Sequence, residues 1–248
     1  MYSTERKQYI DNLCAPTTSI PTTSIPTATE EHVSENWKTH IQSRTFQAKY
    51  VQDSLFGSIY MAHHGYNEFK RVCHVFGKTD NEEKQKIISY LLTQSPKVLN
   101  EMVNYNLTKV MYDKILHDLS TCPETPYHCV IGLSLYYKCS IYIVNTVLNT
   151  YITFENSSAD KTFVLFKNPN TVKKKMLYFV DNSENCLSIA EIHDKLFKLF
   201  RYDKPLKSIT SYKLSELEGI AQKLNISYEK KMKKKELYDK IYAQCGWN

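Results

Sequence analysis

The spacing of hydrophobic positions changes character three times along the chain. Between about residues 30 and 119 it is helical: Ile87, Ile88, Leu91 and Leu92 share one face, and Val98, Leu99, Met102 and Val103 follow Pro96, whose fixed φ suits a first helical turn. Val110, Met111, Ile115, Leu116 and Leu119 continue the apolar stripe, and the run PYHCVIGLSLYYKC predicts a buried helix with Cys129, Ile131, Leu133 and Leu135 in the core. At Ser140 the pattern shortens to β-branched and aromatic runs, SIYIVN, TYITF, TFVLFK and MLYFVD, separated by turn chemistry such as Asn168-Pro-Asn170. Such runs predict a four-stranded antiparallel meander. Helical spacing returns with Ile189, Ile192, Leu196, Leu199 and Phe200, started by Ser188 as a cap and ended by Pro205. A last pair of apolar faces follows. Leu214, Leu217, Ile220, Ala221 and Leu224 form one, while Leu237 and Ile241, with Tyr238 beside them, form the other. The polar stretch between them offers Ile226 and Met232 as plugs for a small shared core.

The fold class expected from these patterns is α+β: a mainly helical N-terminal half, a four-stranded antiparallel meander, and a small C-terminal helix–loop–helix module. Three segments are expected, an extended arm over 1–29, an α+β core domain over 30–203 (helical 30–139, strands 140–181, helix 188–202), and a basic module over 204–248. The arm contains the tandem repeat Thr17-Thr-Ser-Ile-Pro21 and Thr22-Thr-Ser-Ile-Pro26. Proline every five residues prevents a helix and gives the segment no core of its own, so it reads as a tether. Tyr9, Ile10 and Leu13 ahead of it offer one sticky face, so residues 1–29 are expected to dock on a protein partner.

Composition narrows the functional classes. With 248 residues, 42% of them hydrophobic, the chain is long enough to bury a sizeable core. Its longest apolar runs, such as Ile141-Tyr-Ile-Val144, fall far short of the roughly 20 residues that span a bilayer. The start, MYSTERKQYIDNL, has no apolar signal-peptide core, so no membrane insertion and an intracellular location are expected. Seven cysteines, odd in number and without a Cys-x2-Cys pair, fit reduced thiols rather than disulfides or zinc. Six glycines leave no Gly-x4-Gly-Lys loop for nucleotide phosphates, and no cofactor is expected. Nineteen tyrosines, with abundant Lys, Asn and Ile, resemble the composition of proteins from large nucleocytoplasmic DNA viruses, which implies a virion or a host cytoplasm or nucleus.

Net charge is +6, and its distribution is uneven. Residues 204–248 hold ten basic and five acidic residues, +5, against +1 for residues 1–203. Most of that excess lies in KKMKKK, between the two apolar faces. The pattern Leu214-Ser-Glu-Leu217, Ile220-Ala221, Leu224-Asn-Ile226, Met232, Lys234, Glu236-Leu237 and Ile241 resembles the helix–extended loop–helix modules of the SAP family, and more closely the N-terminal module of the transcription terminator Rho. The resemblance covers about 30 residues, with two departures: Tyr212 stands where a Ser or Thr cap is usual, and Gly219 lies mid-helix. It implies nucleic-acid binding through the loop and the start of the second helix, which carry Lys230, Lys231, Lys233, Lys234 and Lys235. DNA is favoured over RNA. Clustered ammonium groups suit this role independently, because they release phosphate counterions. The bland alternative is a solvated lysine face. A second cluster, Val172 to Met176, reads as a charged strand end that blocks edge pairing.

Catalytic chemistry finds little support. The order helix, strands, aromatic final strand, over PYHCVIGLSLYYKCSIYIVN and beyond, resembles the rear half of an OTU-type cysteine protease. That family's Asp-Gly-x-Cys motif is absent, and Leu177-Tyr178 stands where its catalytic histidine begins the last strand. The resemblance therefore implies a scaffold without its catalytic residues. His128 and Cys129 are adjacent, and helical neighbours point about 100° apart, so they do not form a nucleophile–base pair. A core role is expected for Cys129. His63, His64, Cys73 and His74 lack the spacing and companions of a metal site. The expected function is a non-enzymatic nucleic-acid-binding or tethering protein of viral type, with no catalytic and no metal-binding residues. One alternative is a structural virion or minor capsid assembly protein, docking through its arm and C-terminal module. Another is an inactive OTU-like cysteine hydrolase.

Overall fold

The computed structural model describes residues 45–47, 51–170, 175–181, 189–229 and 231–246, all within one structural unit. The arm and its docking face lie outside the described residues, as do Ser188, Lys230 and most of the Val172–Met176 cluster.

Helices dominate the first half. They are α1 (Ser54–His64), α2 (Tyr66–Val72), α3 (Phe76–Thr93), α4 (Pro96–Met102), α5 (Lys109–Thr121) and α6 (Cys129–Tyr136). Asp53 caps α1 by accepting the Phe56 N–H, and Thr108 caps α5 by accepting the Met111 N–H. Gly65, with φ 88°, lets the chain break sharply between α1 and α2. The expected stripes are real but narrower: Ile87 and Leu91 are buried while Leu92 is 63% exposed, and Leu99 is buried while Val98 faces outward. On α6 the expected core residues Cys129, Ile131, Leu133 and Leu135 are all buried. Gly132 sets how closely α6 approaches its neighbours, because a Cβ there would lie 3.1 Å from both Ile115 Cγ2 on α5 and Leu91 Cδ1 on α3.

The meander expectation is corrected. The strands are β1 (Thr45–Gln47), β2 (Cys139–Asn145), β3 (Thr150–Phe154), β4 (Lys161–Asn170), β5 (Lys175–Asp181) and β6 (Phe197–Lys198). They form a six-stranded mixed sheet in the order β1-β5-β4-β2-β3-β6. The pairs β2/β3, β4/β5 and β1/β5 are antiparallel, whereas β2/β4 and β3/β6 are parallel. The α+β class stands. A meander would place β4 beside β3. Instead the six residues 155–160 pass beneath the start of β2 and deliver β4 to its far side.

Asn156 fixes that crossing. Its Nδ2 donates to the Ser134 carbonyl (2.8 Å) at the end of α6, and its backbone N–H donates to Ser140 Oγ (3.1 Å) on β2. Asp160 N–H then donates to the Lys138 carbonyl (3.0 Å), in register for Cys139↔Lys161 pairing. The chain leaves α6 through Lys138 in a left-handed conformation, φ 47°.

One sheet face, with Ile141, Ile143, Ile152, Phe154 and Leu165, belongs to the main core shared with the helices. The opposite face buries Tyr142, Val144, Tyr151, Val164 and Phe166 separately from it. The helix α7 (Ile189–Lys195) meets this second face, where the His193 ring stacks on Tyr142 and Tyr151 at 5.9 and 5.6 Å. The expected helix over 188–202 therefore ends early. The open edge of β3 takes the chain instead: Phe197 N–H donates to Asn149 C=O (2.9 Å) and Leu199 N–H to Tyr151 C=O (2.8 Å). Leu199 enters the main core and Phe200 is exposed. Among the described residues no helix is long and apolar enough to cross a membrane.

Candidate nucleic-acid interface

The C-terminal module is built from α8 (Leu214–Lys223) and α9 (Lys234–Gln244). Leu217, Ala221, Leu224, Leu237, Ile241 and Cys245 are buried together, and Ile226 and Met232 pack on them as the apolar pattern requires. Lys213 and Lys233 occupy the N-cap positions, and their backbone N–H groups are bonded by Glu216 and Glu236, each three residues on. Each carboxylate satisfies the N–H of the N-cap residue itself, while the side chain at neither N-cap is a Ser or Thr hydroxyl. Tyr212, outside the helix, serves the connection instead, where its hydroxyl accepts the Lys207 N–H (3.0 Å) while Tyr238 donates to the Lys207 carbonyl (2.8 Å). One residue of the connection is held by tyrosines from both sides.

The loop leaves α8 through a Schellman motif. Asn225 adopts φ 54°, Ile226 N–H donates to Ala221 C=O (2.8 Å), and Asn225 N–H donates to Gln222 C=O (3.0 Å). Lys240 of α9 ties the loop down by donating to the Ser227 carbonyl (2.9 Å). Lys223 reaches the His193 and Asp194 carbonyls at the end of α7 (3.3 and 2.9 Å), fastening the module to the sheet domain.

On this frame stand the lysines. Lys231, Lys233 and Lys235 are exposed and Lys234 is half-buried, so the four ammonium groups are borne by the turn and first residues of α9. Lys240 and Lys223 spend their ammonium groups on carbonyls, but among the described residues no ion pair engages Lys231, Lys233, Lys234 or Lys235. Lys230 lies outside the described residues.

The residues weighed for catalysis are arranged for packing. Cys129 is fully buried and donates weakly to the Ile115 carbonyl (3.8 Å), and burial pushes its thiol far above the usual range. His128 turns away to Asp118 Oδ2 (2.7 Å), with burial lowering its pKa against the raising effect of that carboxylate. Tyr178, beside Leu177 on β5, meets α1: its N–H donates to Ser54 Oγ (3.0 Å), its carbonyl accepts Ser58 Oγ (3.0 Å), and its hydroxyl shares a 2.7 Å hydrogen bond with Tyr127. Ser54, like Ser58, faces this strand; it is 4% exposed and engaged with backbone, and no histidine bonds to it among the described residues. That pairing spans 124 residues of sequence, and only Asp53-Ser54 as a helix-start signature before Leu55-Phe56 marks it in the sequence. His63 stacks on Tyr137 (4.3 Å), His64 lies 3.6 Å from Glu83, and Cys73 bonds to the Lys70 carbonyl. Among the described residues no group of three His, Cys, Asp or Glu is placed to hold a metal ion.

Comparison with protein families, with curated proteins and with solved structures finds no match for this chain.

Proposed function

We propose that this chain is a non-enzymatic nucleic-acid-binding protein that grips the phosphate backbone through Lys231, Lys233, Lys234 and Lys235. The observation that carries the reading is the contrast among the module's lysines. Lys223 and Lys240 are consumed in holding the fold, while these four stand at one loop–helix junction where, among the described residues, none is ion-paired and the Glu236 carboxylate is taken up by a backbone N–H. Like charges held that close repel one another, and a polyanion relieves the repulsion while releasing its own counterions. The positive end of the α9 dipole acts in the same sense.

The non-enzymatic part rests on chemistry. Cys129 is a poor nucleophile when buried and held as the thiol, and among the described residues no histidine bonds to Ser54 to take its proton. DNA is the first ligand to test. Anisotropy of a labelled 20-base-pair duplex, titrated with the full chain at low and then physiological salt, is expected to show binding that weakens steeply with salt. Absence of binding at low salt, to this duplex and to a single strand of the same length, would leave the module as a protein-docking element, as a structural virion component would use it.

A further inference from the structure

The same module carries aromatic rings along the face of α9 that begins at Lys234. Tyr238 and Tyr242 are one turn apart on α9, stacked at 6.2 Å with an interplanar angle of 27°. Tyr212 lies 6.3 Å from Tyr238, and Lys207, bonded to both Tyr212 and Tyr238 through its backbone, extends its ammonium group to 5.6 Å from the Phe200 ring. Lys234, Tyr238 and Tyr242 follow one another at intervals of four, so they line one face of the helix. Two of the rings are open to solvent: Tyr242 is 45% exposed and Phe200 47%. Neither exposure serves the fold, since the module's core is already closed by Leu217, Leu237 and Ile241.

Rings that follow a lysine along one helix face, with a second ammonium group over a neighbouring ring, suit unpaired bases better than duplex. A duplex hides its base faces in the stack and offers the protein phosphates and groove edges. A single strand presents each base face to an aromatic platform, while lysines alongside take the phosphates. We infer that the α9 face formed by Tyr238 and Tyr242, with Phe200 and Lys207 at its margin, binds single-stranded nucleic acid by base stacking. This rests on the reading that the neighbouring lysines bind phosphate.

The test compares a labelled 15-nucleotide oligo(dT) with a 15-base-pair duplex, using the full chain and its Tyr242→Leu, Tyr242→Phe and fourfold Lys→Gln (231, 233, 234, 235) variants. The single strand is expected to bind more tightly than the duplex. Tyr242→Leu, which keeps an apolar side chain but removes the ring, is expected to weaken single-strand binding between about fivefold and about a hundredfold, as loss of one stacked base does. Tyr242→Phe should retain it, and neither change should alter duplex binding. Unchanged single-strand affinity in Tyr242→Leu, beside a loss in the lysine variant, would overturn the stacking inference and leave the phosphate reading standing. Equal losses on both probes in Tyr242→Leu would also overturn it, and no binding of either probe by the unaltered chain would remove both.

Discussion

Asp53 ties three parts of the helical half together. Its Oδ1 caps α1 through the Phe56 N–H, and its Oδ2 accepts both Lys84 Nζ from α3 (3.0 Å) and the Thr125 N–H (2.7 Å) from the loop before α6. Lys84 is buried and shares its charge with Asp53 and Asp80, so the charged form persists despite burial. Asp53→Ala would uncap α1 and leave Lys84 with one partner, and a loss of at least about 3 kcal/mol is expected. A urea midpoint measures it, and a change under about 1 kcal/mol would contradict this account of the cluster. Glu83 is the second such residue. The neighbouring His64, helped by Lys86 and opposed by burial, holds its carboxyl down at about 2. A depressed carboxyl stabilises the fold above its ordinary value near 4.5 and loses that contribution as pH falls towards 2. Stability should therefore drop across that window, and Glu83→Gln should flatten the drop; an unaltered acid profile in the variant would disprove it. Neither cluster was legible in the sequence, because the partners of Asp53 lie 31 and 72 residues away. The buried face of α6, by contrast, was legible residue by residue, since local apolar density alone dictates its burial.

At the scale of elements, the sequence located β2 to β5 correctly but not their partners. Period-two patterning marks a strand wherever it pairs, and what decides topology is the connection. Residues 155–160 cross beneath β2 held by Asn156, which bonds to the end of α6 and to β2, and by backbone bonds to Met102, Asn104 and Lys138, partners that become visible only in the folded chain. Asn156→Ala would strand the Ser134 carbonyl and release the Ser158 N–H, for an expected loss of about 1–3 kcal/mol with an unchanged denaturant slope. Loss below about 0.5 kcal/mol would mean that the crossing holds itself by strand pairing alone. The early end of α7 follows the same logic. Leu196 and Leu199 satisfy a helical pattern, yet the open edge of β3 offers backbone partners that a continued helix would leave unpaired. The C-terminal helices were legible because their core is local, and the Schellman turn at Asn225 falls where the apolar stripe of α8 ends.

For the whole molecule, the asymmetry of charge visible in the sequence gains a structural basis: the last fifth of the chain carries +5 on a module whose own bonds engage Lys223 and Lys240 and leave Lys231, Lys233, Lys234 and Lys235 exposed or half-exposed. Replacing these four with Gln removes charge without touching Leu217, Leu224, Leu237 or Ile241, so the fold is expected to survive. The salt dependence of nucleic-acid binding, compared between the unaltered chain and this fourfold variant, decides whether these lysines grip phosphate. If each lysine contacts a phosphate, the slope of log K against log salt should become shallower by about 3.6 on duplex DNA, or about 2.8 on a single strand. Identical slopes for the two proteins, with the unaltered chain binding, would show that the lysines are a solvated surface and that the nucleic acid is held elsewhere.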